Sequence, residues 1–275
     1  MKELLLYLSL KYNGDFDKIY SALQLREKVD GDLKNKLFND FYSRDCSYTT
    51  LVSEDYPDKL KQISCPPFVV FYRGDLSLAD RKSVAVVGSL KPSEYGRKCT
   101  ELYVDELSKK ENVIISEMQK GTGTAVLEQA VKSNTKAVAV FLHGMNEDTS
   151  IQNKKLYDEI CKNGLVMGEY PYSSKQREND DLVYKQLRLV SGIADTVLLT
   201  ETETKSKYHA VVNYALEQGR KVCAIPSGVL NKDMQGNNEL IKMGADLVTS
   251  PEDIDRNVNT KDRDVPDHND IEIEL

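Results

Sequence analysis

Residues 56–250 predict an α/β fold, a doubly wound and mostly parallel sheet, with a small helical domain ahead of it. Three observations carry the prediction. Short apolar, β-branched runs alternate with amphipathic windows of helical period, the sequence form of repeated βαβ units. Several windows stop at glycine or asparagine, at Asn163-Gly164, Gly192 and Gly219, as helix C-termini do. The 275 residues are 40% hydrophobic and 29% charged, with 15 Gly and 8 Pro, which is ordinary globular composition. Such a chain can bury a sizeable core without staples, and fibrous or fully disordered readings drop out.

The chain opens with Leu4, Leu5, Tyr7 and Leu8, then Ile19, Leu23 and Leu25, at roughly helical spacing and broken by Asn13-Gly14 and Asp30-Gly31. Residues 1–55 therefore read as a domain of short helices. The apolar run at 4–10 has Glu3 beside it, lacks a small-residue cleavage site and is too short to cross a bilayer, so it reads as a packing face. Tyr56-Pro57 and Cys65-Pro66-Pro67 punctuate the passage to the next unit, because proline disfavours helix at the residue before it and cannot donate to a ladder. Strands are expected at 68–72, 84–87, 113–115, 137–141, 165–167, 196–199, 222–225 and 247–248. Helices are expected at 93–109, 124–133, 151–163, 182–191, 208–218 and 237–243. After Ser250 the apolar pattern fades into Asp, Glu and Asn, and 251–275 reads as a disordered acidic tail.

The net charge of −7, from 44 acids and 37 bases, at first argues against a polyanionic partner. Its distribution removes the objection. Residues 251–275 hold nine acids and three bases, a net −6, which leaves 35 acids and 34 bases, a net −1, in residues 1–250. The body is nearly neutral, and the tail has the charge to mimic DNA within a basic pocket. Five widely spaced cysteines, with no C-x-x-C and no histidine at ligand spacing, indicate reduced thiols in a cytoplasmic protein rather than a disulfide framework or a metal site.

In an open parallel sheet, ligands bind beyond the carboxyl ends of the strands, where loops and helix N-termini present N–H groups to anions. Gly88-Ser89, with Lys91 nearby, follows one strand and suits the close approach of a phosphate. Lys120-Gly121-Thr122-Gly-Thr124 combines a cation, two glycines and two hydroxyls before a helix. It has neither the P-loop order nor the dinucleotide-binding order, so neither ATPase nor hydride-transfer chemistry follows. Ser206-Lys207 lies in a third polar loop, equally consistent with a solvated turn. His143 and His209 lack a nucleophile or acid at recognisable spacing. Glu169 and Glu201 stand at strand ends, where carboxylates cap or pair more often than they act as bases. No catalytic constellation emerges. Tyr170, Tyr172 and Tyr184, near Lys175, Arg177, Lys185 and Arg188, have the chemistry to stack unpaired bases, although tyrosines mostly pack.

Together the motifs of residues 56–250 resemble the DNA-processing protein A (DprA/Smf) family. The resemblance runs through Tyr56-Pro57, Phe71-Tyr72-Arg73-Gly74, Val84-Ala-Val-Val-Gly-Ser89, Ala137-Val-Ala-Val140, Asn153-Lys-Lys-Leu156, Gly168-Glu-Tyr170, Arg188 and Ser191-Gly192. It is most specific over Ala215-Leu-Glu-Gln-Gly-Arg220, Ala224-Ile-Pro226, Gly236-Asn237 and Gly244-Ala245. It implies an extended Rossmann-like domain that forms a homodimer, binds single-stranded DNA at the sheet's carboxyl edge and helps load the RecA recombinase during DNA uptake and recombination. It implies no chemical reaction and no cofactor. Gly88, Ser89, Lys91, Lys120, Gly121, Thr122, Asn153, Lys154, Lys155, Arg188, Ser206 and Lys207 are the candidate nucleic-acid contacts. The family often appends a winged helix, which 25 residues after Ser250 are too few to form.

The departures fall on the ligand-facing loops. Leu90 stands where the family has an arginine, Glu117 replaces a glycine, Gly123 an aspartate, Ile151 a cation, and Gln186 falls within the degraded arginine signature. Lys91, Lys120, Lys154, Lys155, Lys185 and Lys207 stand at or beside the changed positions, which would relocate the charge rather than abolish it. Two alternatives remain open. One is a degenerate homologue that acts as a protein-interaction or regulatory module. The other is a nucleotide N-glycosidase, since Gly121-Thr-Gly-Thr124 followed by Glu128 is similar to a lysine-decarboxylase-like loop, with the glutamate one residue too far along.

Overall fold

The computed structural model describes residues 1–142, 144, 153–172 and 180–255. Three helices open the chain: α1 (Lys2–Tyr12), α2 (Phe16–Gln24) and α3 (Gly31–Tyr42). Asp15 and Asp30 start the second and third by accepting the backbone N–H groups of Lys18 and Leu33, which have no partner within their helices. The intervening turn uses Asn13 and Gly14 at positive φ. A side chain at Gly14 would lie 2.6 Å from the Glu169 carbonyl, so this turn is pressed against the sheet.

Next come β1 (Ser47–Thr50), α4 (Asp58–Lys61), β2 (Val69–Gly74), β3 (Ser83–Val87), α5 (Glu94–Lys109), β4 (Val113–Glu117), α6 (Thr122–Lys132) and β5 (Ala137–Val140). The chain continues through α7 (Lys154–Asn163), β6 (Leu165–Gly168), α8 (Asp180–Gly192), β7 (Thr196–Leu199), α9 (Ala210–Glu217), β8 (Lys221–Ala224), α10 (Gly236–Lys242) and β9 (Asp246–Leu247). The strands form one sheet in the order β1-β2-β6-β5-β4-β3-β7-β8-β9. From β3 to β9 every pairing is parallel, whereas β2 runs antiparallel to both β6 and β1. The doubly wound, Rossmann-like architecture expected of the sequence is present.

Each central strand is buried on both faces and divides its side chains by alternation. Ala85 and Val87 of β3 meet α4, α8 and α9 through Leu60, Leu187, Val190, Val211 and Ala215. Val84 and Val86 face the layer of α5, α6 and α7, together with Leu6 of α1 and Phe41 of α3. The N-terminal helices thus share a core with the sheet. The boundary expected near residue 55 falls between β1 and β2, which pair with one another. Pro251–Asp255, the first residues of the expected tail, form a short 3-10 helix with Ile254 buried, and Asp255 pairs with Lys82 and Lys110. The remainder of the expected tail lies outside the described residues. Among the described residues no helix is long and apolar enough to cross a membrane.

Candidate nucleic-acid interface

Strand order reverses at β3. The chain leaves it towards β4, β5 and β6, then crosses back through α8 to place β7 on its other side. The carboxyl ends of β3 and β7, and the N-termini of α5 and α6, converge on this switch point, where such sheets hold their ligands.

Gly88 follows β3 in a space that admits no side chain, because an added Cβ would meet Thr122 Oγ1 at 2.7 Å and Thr200 Oγ1 at 2.9 Å. Ser89 is buried and engaged on every side. Its N–H donates to the Glu201 carbonyl (2.8 Å) and its carbonyl accepts from Thr122 N–H (3.0 Å). Its hydroxyl accepts from Lys91 N–H (2.9 Å) and donates to a carboxylate oxygen of Glu203. Ser93 caps α5 by accepting from Gly96 N–H. Both its own N–H and its hydroxyl are taken by the buried Glu201 carboxylate, each at 2.7 Å. Glu201 thus occupies donors of this helix terminus, and Glu203 a donor of the loop before it, that would otherwise be offered to an anion.

The α6 side is built differently. Gly121 holds φ at 93°, where an added Cβ would lie 2.4 Å from the Leu90 carbonyl, so the glycine lets the two loops touch. Thr124 closes the turn by donating its N–H (2.8 Å) and its hydroxyl (2.7 Å) to the Gln119 carbonyl. Thr122 Oγ1 is buried at the first helical position without a hydrogen-bond partner. Beside it the Glu117 carboxyl is only 1% exposed; it accepts from the Ser116 hydroxyl (3.2 Å), and burial pushes its pKa up to about 8. Tyr208, Gln119 and Gln186 form a polar chain ending at the Val140 carbonyl. Gln186, at a position expected to have lost a cation, is thereby a buried structural amide.

Of the sequence-predicted contacts, Gly88, Ser89, Lys91, Lys120, Gly121 and Thr122 lie on two loops that meet. Ser206 and Lys207 follow on the β7 loop, tied to it by Ser206 N–H on the Glu203 carbonyl (3.1 Å). Lys91 and Lys120 are exposed at the rim. Asn153, Lys154 and Lys155 open α7, farther along the sheet. Asn153 caps that helix and donates to Glu128 (3.2 Å), while Lys154 pairs with Asp158 (2.5 Å). Arg188 lies apart from these loops: it is 8% exposed, and its guanidinium bonds Glu169 at 2.8 Å and the carbonyls of Ser64 and Cys65, which fastens α8 to the interior. Tyr170 is half-buried, and desolvation drives its hydroxyl pKa upward.

His209 shares Thr202 with Asn237. Asn237 donates its amide to the Leu199 and Ile225 carbonyls and accepts from the Thr202 hydroxyl, so His209 Nε2 must be the donor to Thr202. The imidazole braces the loop, and burial lowers its pKa. His143, Ile151, Lys175 and Arg177 lie outside the described residues. Among the described residues no cluster of histidine, cysteine or acid could hold a metal ion, and all five cysteines are free thiols. Glu201 caps and pairs as its strand-end position suggested, whereas Glu203 is the site residue whose part the sequence did not disclose. Its only signal was a position on the loop after a central strand.

The fold and crevice define an α/β protein with a switch point lined by glycine, hydroxyl groups and helix N-termini. Residues 47–259 match the DNA recombination-mediator protein A family, and the chain belongs to it. It is 33% identical over 205 residues to the DNA processing protein DprA of Streptococcus pneumoniae, covering 74% of this chain and 72% of that one. It is 29% identical over 203 residues to DprA of Bacillus subtilis, covering 74% and 68%. The X-ray structure of the Streptococcus pneumoniae protein superposes with a TM-score of 0.72 at 27% identity, over 92% of each chain. The solved structure of Helicobacter pylori DNA processing protein A, described for its unique single-stranded DNA binding mode, shares the fold with a TM-score of 0.65 at 24% identity, over 75% of this chain and 93% of that one.

Proposed function

We propose that the switch-point crevice binds the backbone of single-stranded DNA without chemical turnover, and that the bound protein helps load a RecA-type recombinase as a homodimer. The observation that carries the reading is the meeting of the Gly88-Ser89 and Gly121-Thr122 loops at two helix N-termini, with Lys91 and Lys120 exposed on the rim. Backbone N–H groups, hydroxyls and flanking lysines recognise phosphates irrespective of base. Membership of a DNA-processing family supports the same ligand.

Fluorescence anisotropy with oligo-dT at 50 and 200 mM salt tests the reading. Each of Lys91→Ala and Lys120→Ala is expected to weaken binding and to reduce the slope of log affinity against log salt by about 0.7, the value for one phosphate contact on a single strand. Unchanged slopes would remove these lysines from the interface. For the recombinase step, the protein should accelerate RecA assembly on oligo-dT, and no acceleration would confine its role to DNA binding. A second reading, a partner-binding module without DNA, is favoured by the two carboxylates already seated on the crevice donors. Absence of oligo-dT binding at 50 mM salt would select it. The N-glycosidase alternative gains nothing from Glu128, an exposed residue bonded to Asn153.

A further inference from the structure

We propose that Glu203 is an internal phosphate mimic whose carboxylate holds Ser89 in a closed crevice and must be displaced before a nucleic-acid phosphate can bind there. The inference rests on the DNA-binding reading and adds a control element to it.

Ser89 has little left to offer a ligand. Its N–H, its carbonyl and one acceptor direction of its hydroxyl are spent on Glu201, Thr122 and Lys91. The hydroxyl hydrogen is the group a phosphate oxygen would take, and it points at Glu203. The two acids of this loop differ in how firmly they are fixed. Glu201 is buried, grips the N–H and hydroxyl of Ser93, and packs so closely on Gly96 that an added Cβ there would meet Glu201 Oε2 at 2.4 Å. Glu203 is half-buried, lies beyond the end of β7, and reaches Ser89 through one carboxylate oxygen. Glu201 is a fixed part of the α5 cap, and Glu203 is the acid able to swing out.

A carboxylate and a phosphodiester each bring a negative charge, and they cannot share one hydroxyl without strong repulsion. Displacement by a lone phosphate exchanges one contact for another. An oligonucleotide engages Ser89 while its neighbouring phosphates reach Lys91 and Lys120, so the closed crevice favours extended polyanions over mononucleotides.

The test titrates labelled oligo-dT at 50 mM salt against the full chain, Glu203→Ala, Glu203→Gln and the control Glu111→Gln. Glu111 is exposed between α5 and β4, at the amino edge of the sheet, so the control makes the same charge change away from the crevice. Both Glu203 variants are expected to bind about tenfold more tightly, and Glu111→Gln to stay within twofold. Wild-type binding that neither Glu203 variant strengthens would overturn the mimic and leave the DNA reading intact. Equal tightening by Glu111→Gln would reduce the effect to net charge and also overturn the mimic. No binding by any protein would overturn both.

Discussion

Replacing Arg188 by alanine is expected to cost about 3–5 kcal/mol of stability, roughly 10 °C in melting temperature for a chain of this size, while leaving the salt dependence of oligo-dT binding unchanged. The guanidinium lies 2.8 Å from Glu169 with both residues at most 8% exposed, and it also bonds the carbonyls of Ser64 and Cys65 ahead of β2. One side chain therefore joins α8, the end of β6 and the approach to β2. Truncation strands a buried carboxylate. Burial already drives the Glu169 carboxyl above its ordinary range, and Arg188 is the main force opposing that rise. Without it the native state holds a proton more tightly than the unfolded chain does, so the deficit should be larger at pH 8 than at pH 5.5. Adding Glu169→Gln should restore part of the loss by removing the unpaired charge. Thermal melts at the two pH values, with salt titrations of DNA binding, check all three outcomes. A variant that keeps its melting temperature but loses about 0.7 of salt slope would return Arg188 to the interface.

That arginine shows where the sequence stops being legible. The parallel strands were readable almost to the residue, Thr196–Leu199 without error, because burial on both faces writes them as continuous apolar runs. β1 was not, since Ser47–Thr50 is a short polar strand that owes its place to pairing with β2. The antiparallel direction of β2 likewise leaves no mark in composition. At the site, glycines and hydroxyls at strand ends were readable because close backbone approach restricts the residue type. Charged residues were not, because a cation facing solvent and one folded onto a buried acid have the same local sequence. Arg188 finds Glu169 across a crossover, and Glu203 reaches Ser89 across 114 residues of chain. The loop of Glu201 to Lys207 read as polar and basic, yet its acids, not its lysines, fill the crevice.

Glu117 carries the second large effect, with the opposite sense from an ordinary surface acid. Its carboxyl is buried at the end of β4 beside the first turn of α6, where an added Cβ on Gly123 would lie 3.1 Å from Glu117 Oε1. Desolvation outweighs the Ser116 hydroxyl and the backbone hydrogen bond, and the pKa rises to about 8. The folded state thus keeps a proton that the unfolded chain releases near its ordinary carboxyl value. The resulting stability is fully present below that value and is lost as pH climbs through 8, a difference on the order of 4 kcal/mol. Glu169 adds a slope of the same sign. His209, whose pKa burial lowers, works the other way and costs stability as pH falls through the range where unfolded histidine protonates. The comparison that isolates Glu117 is wild type against Glu117→Gln between pH 6.5 and 9, in which the shared His209 contribution cancels. Wild type is expected to lose melting temperature by roughly 5 °C more than the glutamine variant over this window, because the variant keeps the size and polarity of the protonated acid and has no charge to bury. Parallel curves would mean that Glu117 stays ionised at neutral pH. A negative charge would then stand at the α6 N-terminus, the surface proposed to receive phosphate, and oligo-dT affinity should rise in Glu117→Gln even at pH 7.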